Sequence, residues 1–231
     1  MHLEQYDRIR DRIALAGLTP EIETRIALFV CASKAVNLPF LALAGAALPP
    51  AFAWPGLGGG LGSGLGFGLG SGPGGGGASG PGGIVWQYLN SQLFRESEAV
   101  SLLCRTTRWS PDPSVYLAGA QLVAPLSTEA ARTGFAGLPR EGLGIEALAF
   151  GYALLATVRL TPILPAGVAG NAFAVALTRI EQENGRLLQT QIRLLKDGYA
   201  EIPLPEREAI IAAKIALVSA VFDRFLDALA G

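Results

Sequence analysis

Apolar residues recur at spacings of three and four along most of the chain, and this period indicates helices rather than strands. Prolines and hydroxyl residues precede several of these segments, and glycines or prolines follow them. The predicted helices cover residues 3–16, 20–37, 84–107, 144–158, 171–197 and 205–229. The expected fold class is therefore all-α, a helical bundle interrupted by a long glycine-rich flexible tract.

The C-terminal helix has the most regular apolar pattern in the chain. Spacings of four and three alternate along one set of residues, here called the C-terminal seam: Ile211, Ile215, Val218, Phe222, Phe225 and Leu229. Neighbouring apolar positions widen this face, which is more typical of a bundle core than of a narrow coiled-coil seam. We predict that the C-terminal seam is an interaction surface, packed against this chain or another.

A second apolar run, at residues 147–158, lies between Glu146 and Arg159 and carries no charge. A helix of this length is too short to cross a bilayer, which takes about 20 apolar residues. We therefore expect a helix that is buried in the core or lies at an interface.

The middle of the chain contains no Asp, Glu, Lys, Arg or His from Ala35 to Phe94. Residues 35–54 are long enough to span a membrane, but Pro39, Pro49 and Pro50 should end or kink a helix there. Two interpretations stay open: a segment covered by protein, which the prolines favour, and a segment that enters a membrane.

Glycine occupies every even-numbered position from Gly56 to Gly76, and leucine or phenylalanine fills many of the odd ones. Ordering so much glycine costs backbone entropy, so we interpret residues 56–83 as a flexible linker. The predicted organisation has three parts: N-terminal helices with the proline-containing apolar segment at 1–55, the linker at 56–83, and a C-terminal helical bundle at 84–231.

Charge and composition exclude some partners. Lys and Arg number 18 and Asp and Glu 19, so no basic surplus exists to bind nucleic acid. Only 16% of residues are charged, and the mean hydropathy is +0.39. Because this balance is more apolar than that of an ordinary soluble domain, we expect apolar surface to meet a protein partner, another copy of the chain or a lipid.

Residues that could carry chemistry are few. The only histidine is His2, next to the chain terminus, and Cys31 and Cys104 do not form a metal-binding or redox pair. The glycine tract matches a dinucleotide-binding pattern only formally, because no strand precedes it and no helix follows it. We expect no catalytic residue, no cofactor and no metal; an enzyme would need Glu181 or Glu183 to converge with Glu146.

These observations favour a non-enzymatic structural or interaction protein that assembles with itself or with a protein partner through apolar helix faces. The alternative is a membrane-associated protein that uses residues 35–54. The charged first residues do not resemble a signal peptide. We therefore expect a cytoplasmic protein, with membrane association as the alternative location.

Overall fold

The computed structural model describes residues 3–43, 103, 121–129, 140–197 and 199–231. Within these ranges the chain is all-α, as predicted, and contains no strand. The helices are α1 (Leu3–Ala16), α2 (Pro20–Leu43), α3 (residues 121–129), α4 (Arg140–Thr157), α5 (Ala172–Asp197) and α6 (Leu204–Ala230). Two short 3-10 turns, Thr161–Ile163 and Ala166–Val168, connect α4 to α5.

The turn between α1 and α2 follows the local signals in the sequence. Gly17 has a φ of +78°, a left-handed conformation, and its N–H donates to the Ile13 carbonyl at 2.8 Å. Thr19 Oγ1 accepts from the Ile22 N–H at 3.3 Å, and Pro20 is the first residue of α2. Both the predicted end of α1 and the predicted start of α2 are confirmed.

Helices α2 and α3 each contain a proline. α2 continues past Pro39 to Leu43, although the sequence predicted an end or a kink near residue 37. α3 contains Pro125 and was not predicted at all. A proline removes one N–H donor from a helix, and in both places the helical backbone persists around it.

Helix α4 lies at the centre of the bundle and packs against α2, α5 and α6. Most of the described part of its charge-free stretch is buried, which agrees with the core alternative of the prediction. The helix itself begins four residues earlier than predicted, at Arg140. The buried apolar side chains of α4 are Ile145, Leu148, Ala149, Phe150, Ala153, Leu154 and Leu155. A helix segment with a wide apolar surface needs several neighbours to cover it, which explains why three helices pack against α4.

The N-terminal helices share one hydrophobic core with the C-terminal ones. Phe29 of α2 stacks on Phe222 of α6, with ring centroids 5.7 Å apart. Helices α1 and α2 also bind the C-terminal end of α6. Arg12 donates a hydrogen bond to the Leu229 carbonyl at 3.0 Å, and Arg25 donates one to the Ala228 carbonyl at 3.1 Å. Cationic side chains at this end also complement the helix dipole.

Several predictions concern residues outside the described ranges. The linker at 56–83 and the part boundaries at 55 and 84 lie there, as does the helix predicted at 84–107 apart from Leu103, which is helical and buried. Of residues 35–54, the helical backbone of α2 is described only as far as Leu43. Within the described ranges, no helix combines the length and the apolar character needed to cross a membrane.

Candidate functional site

The structure divides the C-terminal seam into a covered and a half-covered part. Val218, Phe222, Phe225 and Leu229 are buried in the core of their own chain, where α6 packs against α1, α2 and α4. Ile211 and Ile215 are only half-buried. Leu204 lies on the same face of the helix, since seven residues make close to two turns, and is 57% exposed.

A buried lysine lies between the two half-buried isoleucines in sequence. The Lys214 Nζ is 2.7 Å from Glu129 Oε1 and 2.6 Å from Glu146 Oε2. The lysine side chain is only 4% exposed, and the two glutamate side chains are about a fifth exposed. This lysine cluster, formed by Glu129, Glu146 and Lys214, joins α3, α4 and α6.

The two contacts of Lys214 differ in geometry. The ammonium donates a hydrogen bond to Glu129 Oε1. Glu146 Oε2 is close enough for an ion pair but accepts no hydrogen bond from the part of the chain that the structure describes. The Lys214 side chain therefore connects two carboxylates that belong to different helices. An ammonium has no lone pair for nucleophilic attack, so the geometry suits a structural ion pair between helices better than a catalytic lysine.

A second charged cluster surrounds Glu181 on α5. Its carboxylate accepts hydrogen bonds from the Leu160 N–H, from the Thr161 N–H at 2.9 Å and from Thr161 Oγ1 at 2.5 Å. Arg159 adds an ion pair at 3.5 Å. These donors stand at the start of the 3-10 turn Thr161–Ile163, so Glu181 satisfies backbone groups that the turn itself leaves unpaired.

Tyr6 ties α1 to this cluster. Its hydroxyl donates to the Arg159 carbonyl at 2.7 Å. Burial, together with the nearby negative charges of Glu181 and Asp223, raises the pKa of Tyr6 to about 12, although the positive charge of Arg159 acts in the opposite direction. The neutral phenol therefore holds α1 against the loop that follows α4.

Glu146, Glu181 and Glu183 each have a different contact in the structure. Glu146 contacts Lys214, Glu181 caps the 3-10 turn, and Glu183 pairs with Arg186 along α5 at 3.3 Å. Within the described ranges, no group of three or more His, Cys, Asp or Glu residues could hold a metal ion.

Sequence reasoning missed the lysine cluster. Its one visible signal is a charged residue placed between Ile211 and Ile215 on an otherwise apolar face. Glu146 stood out as a lone charge beside the apolar run of α4, but its partner lies on another helix.

No family model, curated protein or solved structure matches this chain. The function is therefore argued from the residues and contacts described above.

Proposed function

We propose that this chain is a non-enzymatic helical protein that assembles with itself or with a protein partner through the exposed end of the α6 apolar face. The observation that carries the proposal is the incomplete cover of that face by the described helices. Its C-terminal part is buried in the chain's own core, whereas Leu204, Ile211 and Ile215 retain contact with solvent.

The charged clusters support a structural role for the rest of the bundle. The lysine cluster joins three helices, and Glu181 joins α5 to the turn after α4. Both sets of charges are engaged in contacts within the chain. The exposed end of α6 instead presents branched apolar side chains, which are suited to contact another protein surface.

The size of the exposed face limits how strongly it can bind alone. Full burial of an aliphatic side chain contributes about 1.5–3 kcal/mol, and two of these three are already half-buried. Association costs roughly 4–15 kcal/mol in lost translational and rotational freedom. A stable complex therefore requires more contact area than Leu204, Ile211 and Ile215 supply, and these residues form its apolar centre.

The proposal is tested by replacing both Ile211 and Ile215 with Asp and measuring sedimentation over a range of concentrations. We expect wild-type chain to sediment with a mass above 24.0 kDa, alone or with its partner, and the double variant to sediment as a monomer. Leu15→Asp is the control, because Leu15 is 91% exposed on α1. Equal masses for all three proteins would count against the proposal.

The membrane alternative is tested separately by flotation of the full chain with phosphatidylcholine and phosphatidylserine vesicles. The assembly proposal expects the chain to stay in the dense fraction. Flotation that is lost when residues 35–54 are deleted, but kept in the Ile211 and Ile215 variant, would favour membrane association instead.

A further inference from the structure

A small cavity lies where α2, α4 and α5 meet, away from the exposed end of α6. Its volume is about 30 Å³. Most of its wall is aliphatic, but Ser33 and Lys34 of α2 and Glu181 and Asn184 of α5 line it as well. A cavity lined only by aliphatic groups stays dry, whereas polar groups in the wall create binding positions for water.

Ser33 is the decisive residue of this cavity. It is 4% exposed, and its Oγ has no hydrogen-bond partner within the described part of the chain. A serine inside a helix usually bonds to the carbonyl four residues earlier or points to solvent, and Ser33 does neither. A buried hydroxyl without a partner loses its hydration and gains nothing in return, so a guest that bonds to it would stabilise the fold.

The lining of the cavity also offers other partners that such a guest needs. Lys34 Nζ donates to Asn184 Oδ1 at 3.3 Å, which places an ammonium and an amide beside Ser33. Water needs about 10–15 Å³ and two to four polar partners. The cavity therefore has room for about two water molecules.

We propose that the cavity is a water-binding site, in which ordered water bonds to Ser33 Oγ and links α2 to the polar side chains of α5. This site is independent of the proposed assembly through α6. Water would then be an integral part of the junction between α2 and α5, beside the direct hydrogen bond from Lys34 to Asn184.

Ser33→Ala separates this proposal from a dry cavity. If water bonds to Ser33, the variant removes one of its partners and the protein becomes less stable. If the hydroxyl is buried without water, the variant removes an unpaired group and the protein becomes more stable. Ser127→Ala in α3 is the control, because Ser127 is exposed and the same replacement brings the same gain in helix propensity.

Chemical denaturation gives the folding equilibrium constant, and magnetic relaxation dispersion of water counts the long-lived water molecules. We expect Ser33→Ala to lower the equilibrium constant about fivefold relative to Ser127→Ala, and to remove at least one long-lived water. A Ser33→Ala variant as stable as the control, an unchanged water count, or a wild-type protein without long-lived water would each overturn the proposal.

Discussion

The phenyl rings of Phe29 and Phe225 stack with their centroids 4.0 Å apart and their planes 13° apart. Phe222 packs beside both rings, one turn earlier on α6, and all three side chains are buried. Aromatic pairs of this kind contribute energy beyond the area that they bury. The contact is therefore an apolar link between α2 and α6, and it connects residues that are far apart in the sequence.

Replacing Phe222 with Ala should destabilise the protein by about 3–5 kcal/mol, because it leaves a cavity among buried rings. Leu15→Ala is the matched control: it removes an exposed apolar side chain and should change the free energy of unfolding by less than about 0.5 kcal/mol. Chemical denaturation measures both. A fall of less than about 1 kcal/mol in the free energy of unfolding of Phe222→Ala would mean that Phe222 is not buried in a well-packed core.

The parts of the fold that depend on residues close together in the sequence could be predicted from it. Gly17 ends α1 and Pro20 begins α2 through contacts within one turn, so local signals were sufficient. Pro39 misled the prediction of where α2 ends, because tertiary packing can outweigh one lost hydrogen bond. Whether a helix continues past a proline depends on its packing against distant parts of the chain. The pattern of residues in a single sequence does not show that packing.

The candidate sites were harder to predict for the same reason. The C-terminal seam follows from helical periodicity alone, but which half of it α1, α2 and α4 cover depends on their arrangement around α6. The lysine cluster draws its members from three helices, and Glu129 lies 85 positions from Lys214. No spacing rule connects residues at such separations.

Lys214→Met should destabilise the protein by about 3 kcal/mol, because it removes the ammonium between two largely buried carboxylates. Removing one partner of a buried ion pair costs about 3–5 kcal/mol. We expect the lower value here, because both glutamate side chains keep some contact with water. Lys196→Met on the exposed surface of α5 is the control and should cost less than about 0.5 kcal/mol. Equal unfolding midpoints for the two variants would show that the lysine cluster does not hold the helices together.

Tyr6 should ionise near pH 12, well above an ordinary tyrosine. The chain has five tyrosines, so the measurement is the phenolate absorbance of wild type minus that of Tyr6→Phe. Because folding raises this pKa, the contribution of the neutral phenol to stability is complete below about pH 10 and is lost as the pH rises towards 12. A difference titration centred near pH 10 would contradict the burial of Tyr6 beside Glu181.

Two glycine-to-alanine replacements should have opposite effects. Gly185 lies inside α5, and an added Cβ would meet no heavy atom within 4 Å, so Gly185→Ala should stabilise the protein by about 0.5–1 kcal/mol. Gly17→Ala should destabilise it by about 1 kcal/mol, because its positive φ disfavours a side chain. Thermal unfolding of both variants gives their melting temperatures. A change of both melting temperatures in the same direction would contradict the positive φ of Gly17 or the open space beside Gly185.

The most direct test of assembly through α6 is photo-cross-linking with p-benzoylphenylalanine in place of Ile211, in cells that express the full chain. The same probe in place of Leu15, on the exposed surface of α1, is the control. Assembly predicts an Ile211 product heavier than 24.0 kDa, joined to a second copy or to a protein partner, and no such product from position 15. Cross-links from position 211 that join only residues of the same chain would contradict the proposal, because the exposed end of α6 would then be covered from within.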